Sequence, residues 1–360
     1  MPPVSPTHAA HVTTVPAPSS SAPLADALRC LADGLPLGAA ATAAAFDVVM
    51  NGGATPAQTA ALLMGLRARG ESAEQLAGAA HALRRAMRPL PADAPDALVD
   101  TCGTGGGTVG TLNVSTAAAF VVAGAGVPVA KHGNRSYTSR CGSADVLEAL
   151  GVDITLGPDR ATGVLREAGL VFLFAPTYHP AMRHVGPTRR ELGVATIMNL
   201  LGPLVNPAGV RRQVIGVGDP ARGPLMAGAL RDLGAVHALV VHAEIGMDEI
   251  SPHGSTTVWE VRAGGVNEWQ LDPGSVGLAV EDISDLAGGE PADNALRIRR
   301  LLEGDGTPAT RAAVLLNAAA ALYVAGLGLS YEAAVEAATR ALGEGRGATA
   351  LERLVRHSNE

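Results

Sequence analysis

Apolar residues recur at helical spacing along the first quarter of the chain. Between Pro23 and Pro91 the spacing predicts four short amphipathic helices. Thr55 and Ser72 stand at predicted N-caps, and Gln58 follows the first of them at the capping-box position. The pattern therefore predicts a small bundle of helices at the start of the fold.

From about residue 97 the pattern changes to short apolar runs of strand length, separated by helical segments. Such alternation predicts a mainly parallel sheet covered by helices. Two alternating runs, 255–264 and 266–272, predict a β-hairpin, and 291–358 is helical again. The predicted strands are ALVD, VPVA, VDIT, LVFLFA, QVIGVG and HALVVHA, and the helices between them cover 115–125, 143–150, 158–168 and 221–233.

The fold class that follows is α/β, with a small α-helical domain beside a larger α/β domain built on a central, mainly parallel sheet. Residues 178–212 interrupt the sheet pattern with four prolines and several arginines. We expect this segment to return to the helices and to line the cleft between domains. The predicted organisation is a disordered tail over 1–23, a helical domain over 24–93 with about 184–208, and a large domain over 94–183 and 209–360.

Composition narrows the classes of function. The formal net charge is −7 and the pI about 5.8, which argues against a nucleic-acid binder. The longest apolar run is shorter than the roughly 20 residues that a membrane span requires. No basic stretch followed by an apolar core opens the chain, so we expect a cytoplasmic protein. The three cysteines are interpreted as free thiols in close-packed positions.

The candidate chemistry begins with a glycine loop after the run ALVD. Gly103, Gly105, Gly106 and Gly107 come first, and NVST then opens an alanine-rich helix. Glycine lets the backbone approach a phosphate, and a helix N-terminus favours an anion. The loop matches neither the P-loop nor the dinucleotide fingerprint. Taken alone, it is equally well explained as a tight turn.

Two more anion-friendly segments follow within a short stretch. KHGNR, at 131–135, comes directly after the run VPVA and supplies two cations and an amide. Ser143 then stands where it could cap a third helix start. Three such segments so close together are hard to explain by packing alone, and they predict a site for a phosphorylated ligand.

Two groups of charged residues outside this stretch are further candidates. Asp248 and Glu249 follow the run HALVV, so they stand at the carboxyl end of a predicted strand, where Mg²⁺ could bind. An isolated pair of this kind is more often a solvated surface pair. Arg183, Arg189 and Arg190 could hold a carboxylate, although 189 and 190 face different ways on a helix.

No arrangement typical of covalent catalysis has local support in the sequence. There is no Ser-His-Asp or Cys-His grouping of that kind, and no spacing typical of a zinc site. The pattern instead favours chemistry that depends on positioning and on stabilisation of charge.

Several motifs together resemble the anthranilate phosphoribosyltransferase family. They are GTGG, NVST, KHGNR, GSADVLEALG, HPAMRHVGPTRRELG, NLLGPLVNP, GMDE and the DP at 272–273. The similarity runs from about residue 24 to the end. It implies a small α-domain on a larger α/β domain, a homodimer formed through the helical domain, and Mg²⁺, with two ions per monomer. It also implies transfer of the phosphoribosyl group of 5-phosphoribosyl 1-pyrophosphate (PRPP) to anthranilate.

The resemblance also implies roles for individual residues. Lys131, Asn134 and Arg189 would position the reactants without a covalent intermediate. Gly103, Asn134 and Arg189 would hold anthranilate, and Ser115, Asp248 and Glu249 would bind the metal. The residues that would hold PRPP are Gly103, Gly106, Gly107, Thr111, Asn113, Val114, Ser115, Thr116, Lys131, His132, Gly133, Asn134, Arg135, Ser139 and Ser143.

The glycine loop departs from the family pattern at two positions. Gly107 stands where the family usually has an aspartate that contacts the donor, and Gly110 stands where a polar residue is frequent. We expect an effect on donor affinity more than on the reaction. Three alternatives stay open: a pyrimidine nucleoside phosphorylase, a non-catalytic relative that binds nucleic acid, and an enzyme of the same type with another acceptor.

Overall fold

A computed structural model describes residues 21–92, 94–136 and 140–360 of the chain. Positions 1–20 of the predicted tail lie outside the described residues, as does Ser139. The first helix already begins at Ala22, one residue before the predicted end of that tail.

The first four helices form a bundle, as the spacing predicts. Both predicted N-caps are present, and each forms a capping box. The Thr55 hydroxyl accepts from the N–H of Gln58 over 3.2 Å, and the Ser72 hydroxyl accepts from the N–H of Gln75 over 3.2 Å. Each cap supplies a partner to an N–H group that the helix itself leaves unbonded. The bundle consists of α1 (Ala22–Ala32), α2 (Ala39–Met50), α3 (Pro56–Arg69) and α4 (Ala73–Ala86).

A seven-stranded sheet forms the centre of the rest of the described chain. Its strand order is 3-2-1-4-5-6-7; the first five strands in this order are parallel, and the last two form an antiparallel hairpin. The strands are β1 (Val99–Asp100), β2 (Val129–Gly133), β3 (Leu170–Phe174), β4 (Arg212–Gly216), β5 (His237–Ala243), β6 (Thr256–Arg262) and β7 (Gly265–Leu271).

Helices cover both faces of this sheet. Alternate residues of β5 show the division: Leu239 and Val241 pack into one core with the C-terminal helices, while Ala238 and Val240 pack into the other core with the bundle. The remaining helices are α5 (Val114–Gly124), α6 (Ser143–Ala149), α7 (Pro158–Ala168), α8 (Ala175–Tyr178), α9 (Gly186–Leu192), α10 (Gly223–Asp232), α11 (Pro291–Leu302), α12 (Pro308–Val324), α13 (Tyr331–Gly343) and α14 (Arg346–Asn359).

One strand prediction is wrong. The run VDIT, at 152–155, lies outside the sheet, although Val152 and Ile154 are buried as the alternation suggests. Side chains bond its backbone in place of a neighbouring strand. The Asp153 N–H donates to the Ser358 hydroxyl over 3.2 Å, and the Asp153 carboxylate accepts from the Thr155 N–H over 2.8 Å. The alternation therefore reports burial and not strand pairing.

The proline-rich interruption packs against the bundle. Val185, Ile197 and Leu201 belong to the same core as the buried leucines of α3 and α4. Arg84 of α4 also donates from its Nε to the Leu204 carbonyl over 2.8 Å. The fold is thus a small helical domain beside a larger α/β domain with a mostly parallel central sheet. Among the helices of the described ranges, none is long and apolar enough to cross a bilayer.

Candidate active site

The candidate site lies at the topological switch point of the sheet, where the order in which strands are added reverses. From β1 the chain proceeds to β2 and β3 on one side and then crosses to β4 on the other side of β1. The loops after β1 and β4 meet there, since the Thr104 N–H donates to the Gly216 carbonyl over 2.9 Å. The loop after β5 joins them through a 2.9 Å bond from the Thr108 N–H to the Gly246 carbonyl. Open α/β sheets bind ligands at such a crevice.

Glycine is required where these loops touch. Gly105 and Gly106 have φ of +72° and +91°, which side chains rarely adopt. A Cβ atom on Gly218 would overlap the Gly106 carbonyl, and one on Gly107 would lie 2.6 Å from Oδ1 of Asp248. The position that departs from the family pattern is therefore in direct contact with a predicted metal ligand.

The adjacent carboxylates of Asp248 and Glu249 lie inside this crevice and are partly buried. Oε2 of Glu249 accepts from the Thr111 hydroxyl over 2.8 Å, and Oε1 accepts from the Ser115 N–H over 3.3 Å. Removal from water raises the pKa of both carboxyl groups, and the neighbouring Asp248 raises that of Glu249 further. Because burial and mutual repulsion disfavour the charged form of both carboxyl groups, a bound cation would stabilise them.

The possible metal ligands in this crevice are typical of an open Mg²⁺ site and not of a site in which the protein supplies every ligand. Within 21–92, 94–136 and 140–360, no group of three or more His, Cys, Asp or Glu side chains could hold a metal ion. Magnesium commonly takes one or two carboxylates and completes its shell with water and substrate phosphate oxygens. The pair at 248 and 249, together with the Ser115 hydroxyl, matches that pattern.

Lys131 occupies the floor of the crevice. It lies within β2, not after its end as the sequence suggests, and it is 3% exposed. Its Nζ donates to the Thr101 carbonyl over 3.2 Å, to the Thr101 hydroxyl over 3.1 Å and to the Ser115 hydroxyl over 3.3 Å. Burial lowers the pKa of Lys131, and the carboxylates of Asp100 and Glu249 oppose that shift. The ammonium group thus lies between the glycine loop and the start of α5.

A buried carboxylate that the sequence analysis did not identify supports this lysine. Asp100, at the end of β1, accepts from the His132 N–H over 3.3 Å and from Asn206 Nδ2 over 2.7 Å. Burial raises the pKa of Asp100 to about 6, and the charge of Lys131 opposes that shift. Asn206 belongs to the motif NLLGPLVNP and also donates to the Ala130 carbonyl over 2.8 Å. A polar residue ending a strand is the signal that could have identified Asp100.

His132 also lies within β2 and pairs with a second buried histidine. Its Nδ1 is 3.0 Å from the Gly202 carbonyl, and its Nε2 is 3.2 Å from Nε2 of His179. Burial lowers the pKa of His132 to about 3 and that of His179 to about 4. Both rings are therefore neutral at pH 7, and Nδ1 of His132 donates to the carbonyl. His179 is the first residue of the motif HPAMRHVGPTRRELG, and the sequence alone does not indicate its role.

The loop after β2 is held against the start of α6. Ser143 is the first residue of that helix, so its prediction as N-cap is wrong; Gly142 occupies the cap. A Cβ atom at Gly142 would overlap the Ser136 nitrogen, which explains why a serine cap does not fit there. The Ser143 hydroxyl donates instead to the Asn134 carbonyl over 3.3 Å. A Cβ atom at Gly133 would overlap this hydroxyl oxygen, so a side chain does not fit at Gly133 either.

The Arg135 guanidinium is occupied within the protein. It donates to Asp145 over 2.9 Å, pairs with Glu148 and lies 5.7 Å from the centre of the Phe174 ring. Its contribution to a donor site would therefore come from its backbone.

The start of α5 brings the remaining donor-site residues together. Asn113 is its N-cap residue, yet its side chain makes no capping bond. Its Nδ2 donates to the Cys141 carbonyl over 3.1 Å, and its Oδ1 accepts from Asn294 over 3.1 Å. Val114 and Thr116 are buried, and within the described chain the Thr116 hydroxyl oxygen has no hydrogen-bond partner. Sequence reasoning did not identify Asn294.

The predicted anthranilate residues are spread over three segments: Gly103 lies in the loop after β1, Asn134 in the loop after β2 and Arg189 on α9. Oδ1 of Asn134 accepts from the Arg135 N–H over 2.8 Å. Arg189 is half-buried on α9, which follows His179 by a short helical turn, while Arg190 is exposed. The structure thus separates the two adjacent arginines by exposure, as their helical spacing predicts.

Comparisons with known proteins agree with this geometry. Residues 95–348 match a glycosyl transferase family a/b domain, and 25–87 match a glycosyl transferase family helical bundle domain. The chain is 51% identical over 335 residues to an anthranilate phosphoribosyltransferase of Rubrobacter xylanophilus, covering 93% of this chain and 97% of that one.

Solved structures give the same result. The crystal structure of anthranilate phosphoribosyltransferase from Thermus thermophilus is 44% identical, with a TM-score of 0.88 over 93% of this chain and 100% of that one. The Saccharomyces cerevisiae enzyme in complex with PRPP and Mg is 27% identical, with a TM-score of 0.86 over 94% of this chain and 99% of that one. The chain belongs to the anthranilate phosphoribosyltransferase family.

Proposed function

We propose that this protein transfers the phosphoribosyl group of PRPP to the amine of anthranilate. The products are N-(5-phosphoribosyl)anthranilate and pyrophosphate, the second step of tryptophan synthesis from chorismate. One observation carries the proposal: the glycine loop, the buried Lys131 and the carboxylates of Asp248 and Glu249 meet at the switch point of the sheet. Related enzymes named anthranilate phosphoribosyltransferase support the choice of reaction.

The donor would lie along the glycine loop and the start of α5. Backbone N–H groups near Gly103, Gly106 and Gly107 and the hydroxyls of Thr111 and Ser115 are suited to phosphate oxygens. In the second loop, Asn134 and Ser143 would add polar contacts. The remaining proposed contacts are Asn113, Val114, Thr116, Lys131, His132, Gly133 and the backbone of Arg135. Ser139, also implied by the resemblance, lies outside the described residues.

Ser115, Asp248 and Glu249 would hold Mg²⁺, which supplies positive charge to the pyrophosphate group. The two-ion count implied by the resemblance belongs to this proposal, and a relative from Saccharomyces cerevisiae has been solved with PRPP and Mg. The charge repulsion between the two carboxylates supports such a site.

Lys131 would act on the leaving group by charge. Its ammonium already donates to Ser115 and faces the start of α5, so it is fixed before the donor binds. Charge that accumulates on pyrophosphate as the bond to C1 breaks would be stabilised by this preorganised cation. The amine of anthranilate is neutral at pH 7, so the acceptor needs placement more than deprotonation.

Asn134 and Arg189 would place the acceptor, with Gly103 beside them. A guanidinium matches a carboxylate in two-point fashion, which is why Arg189 is assigned to the carboxylate of anthranilate. A relative from Saccharomyces cerevisiae has been solved in complex with 4-fluoroanthranilate, which supports an acceptor of this class.

The proposed domain division assigns 24–93 and about 184–208 to the helical domain, and 94–183 with 209–360 to the α/β domain. The family matches at 25–87 and 95–348 support the boundary near residue 93, and the packing of Val185, Ile197 and Leu201 into one core with the bundle supports the assignment of 184–208. As the family resemblance implies, the protein would be a cytoplasmic homodimer joined through the helical domain.

The test is turnover of anthranilate. Purified protein, PRPP and magnesium are mixed with anthranilate, and the loss of anthranilate fluorescence is followed as donor is varied. We expect saturable consumption that requires magnesium and that Lys131→Met abolishes. Phosphorolysis of a pyrimidine nucleoside, with no consumption of anthranilate, would contradict the proposal and favour the nucleoside phosphorylase alternative.

A further inference from the structure

A buried asparagine outside the assigned site connects the C-terminal half of the chain to the donor loops. Asn294 lies on α11 and is 1% exposed. It shares the buried face of that helix with Ala295, Ile298 and Leu301. An amide at a core position costs free energy unless its groups are hydrogen-bonded, and asparagine is not a favoured helix former. The bonds of Asn294 are therefore informative.

The side chain of Asn294 bonds the segment before α11, Asn113 and the Cys141 side chain. Its Oδ1 accepts from the Gly289 N–H over 2.9 Å, and its Nδ2 donates to Oδ1 of Asn113 over 3.1 Å. The segment before Gly289 also pairs directly with the glycine loop, because the Gly288 N–H donates to the Gly110 carbonyl over 3.1 Å. A Cβ atom at Gly288 would lie 2.5 Å from the Thr111 carbonyl oxygen.

The bond to Asn113 fixes which way that amide faces. Nδ2 of Asn113 donates to the Cys141 carbonyl over 3.1 Å, so its oxygen must face the donor group of Asn294. A flipped Asn113 amide would place oxygen against the Cys141 carbonyl and nitrogen against nitrogen. Cys141 lies in the loop that precedes α6. Asn113 thus connects the loop before α5 to the loop before α6, and Asn294 holds the Asn113 amide in that orientation.

We propose that Asn294 is a positioning residue for the phosphoribosyl donor, acting through the side chain of Asn113. It fixes the relative position of the loop before α5 and the loop before α6, between which the donor is held. The inference rests on the proposed function for the identity of this ligand. It adds a residue from the C-terminal half of the chain to the donor site.

The first experiment replaces Asn294 with alanine and measures both substrates. Loss of one buried hydrogen bond that orients a ligand contact is expected to raise the Michaelis constant for PRPP about tenfold. The Michaelis constant for anthranilate and kcat should change less than about twofold, because the acceptor contacts do not depend on Asn113. Isothermal titration with PRPP and magnesium should show the same weakening without any turnover.

A double-mutant cycle separates positioning from general support. If Asn294 acts through Asn113, Asn294→Ala should have less than about a twofold further effect on donor affinity once Asn113→Ala is present. Independent effects that multiply would overturn the proposal. Asn294→Asp is the second variant, in case alanine prevents folding; it keeps the acceptor for Gly289 and loses the donor to Asn113. Donor affinity equal to wild type in this variant would likewise overturn the proposal.

Ser330→Ala provides the matched control for stability. Its hydroxyl accepts from the Ala333 N–H over 3.2 Å at the start of α13, and Ser330 is not among the proposed donor-site residues. This variant should lower Tm and leave donor affinity unchanged. A wild-type protein that binds PRPP without consuming anthranilate would contradict the proposed function, while titration would still test Asn294. Unchanged PRPP affinity in Asn294→Ala, with an active wild type, would contradict only the inference.

Discussion

Glu249 accepts a hydrogen bond from the N–H of Ser115 over 3.3 Å, so a predicted metal ligand contacts the helix start predicted to hold phosphate. The carboxylate therefore accepts from an N–H group that could otherwise donate to a phosphate oxygen. Binding of metal and donor must be coupled at this contact, because a cation on the carboxylate reduces the repulsion that an incoming phosphate meets.

Glu249→Gln tests this coupling. The amide keeps the size of the side chain and removes one charge from a crowded pair. We expect the magnesium concentration for half-maximal activity to rise about tenfold or more, since one charged ligand is lost. Without magnesium, Tm measured above pH 8 should rise, because burial raises the pKa of Glu249 to about 8 and the wild-type carboxylate is charged and disfavoured only above that pH. Thermal denaturation across a magnesium series measures the second effect.

Glu268→Gln is the matched control for this change. Glu268 lies on strand β7 of the hairpin, is exposed and accepts from the Trp259 indole over 2.6 Å, and the substitution removes a carboxylate that is not a proposed metal ligand. It should leave the magnesium dependence unchanged. An unaltered magnesium requirement in Glu249→Gln would remove that residue from the metal site.

Gly107→Ala tests the contact at the unusual position of the glycine loop. The added Cβ would lie 2.6 Å from Oδ1 of Asp248 and 3.0 Å from the Gly246 carbonyl oxygen. Relief requires Asp248 to move, so we expect weaker PRPP binding and a loss of about 1–3 kcal/mol in the free energy of unfolding. Urea denaturation and donor titration measure the two effects.

Gly110→Ala is the matched control in the same loop. A Cβ atom at Gly110 meets nothing within 4 Å. We expect its free energy of unfolding to stay within about 0.5 kcal/mol of wild type. Equal losses in both variants would mean that the loop tolerates no added side chain at either position, and that the Asp248 contact does not determine the result.

The sequence predicts the bundle and the parallel sheet because both depend on local signals. The caps at Thr55 and Ser72 and the short apolar runs are readable from neighbouring residues alone. VDIT shows the limit: its alternation is real, but strand identity depends on whether a partner strand is adjacent. Side chains from Asp153 and Ser358 bond that backbone instead.

The sequence predicts candidate site residues where motifs are contiguous, and it misses buried partners that come from distant segments. Asp100 and Asn206 are bonded over 2.7 Å, yet they are far apart in the chain. Asn113 and Asn294 are likewise hydrogen-bonded although they are far apart in the chain. No local spacing encodes such pairs, because the fold of the sheet and the helix α11 brings them together.

Arg189→Ala tests the acceptor assignment. Loss of a two-point contact with a carboxylate is expected to raise the Michaelis constant for anthranilate at least about tenfold, with a much smaller effect on that for PRPP. Arg190→Ala, on the exposed side of α9, should change neither constant. Steady-state kinetics with each substrate varied provides the measurement, and equal effects on both constants would make Arg189 a structural residue.

The pair His132 and His179 should make the fold sensitive to mild acid. Both rings have a folded-state pKa far below the ordinary value of 6.5, near 3 and 4 respectively. As pH falls below 6.5 the unfolded chain binds protons that the folded chain does not, so the free energy of unfolding decreases. The expected slope is about 1.4 kcal/mol per pH unit for each histidine. Two carboxyl groups oppose this trend: Asp100, with its pKa raised to about 6, between pH 6 and 3.8, and Glu249, with its pKa raised to about 8, between pH 8 and 4.5.

His179→Gln isolates one histidine of this pair. Its free energy of unfolding at pH 8 relative to wild type measures lost packing, because neither protein is protonated at this site there. Between pH 6.5 and 4.5 the variant should lose stability less steeply than wild type, since its glutamine binds no proton in either state. Urea denaturation at each pH gives the slopes. Parallel slopes for the two proteins would mean that His179 is protonated equally in the folded and unfolded chains, and that its burial does not govern the response to acid.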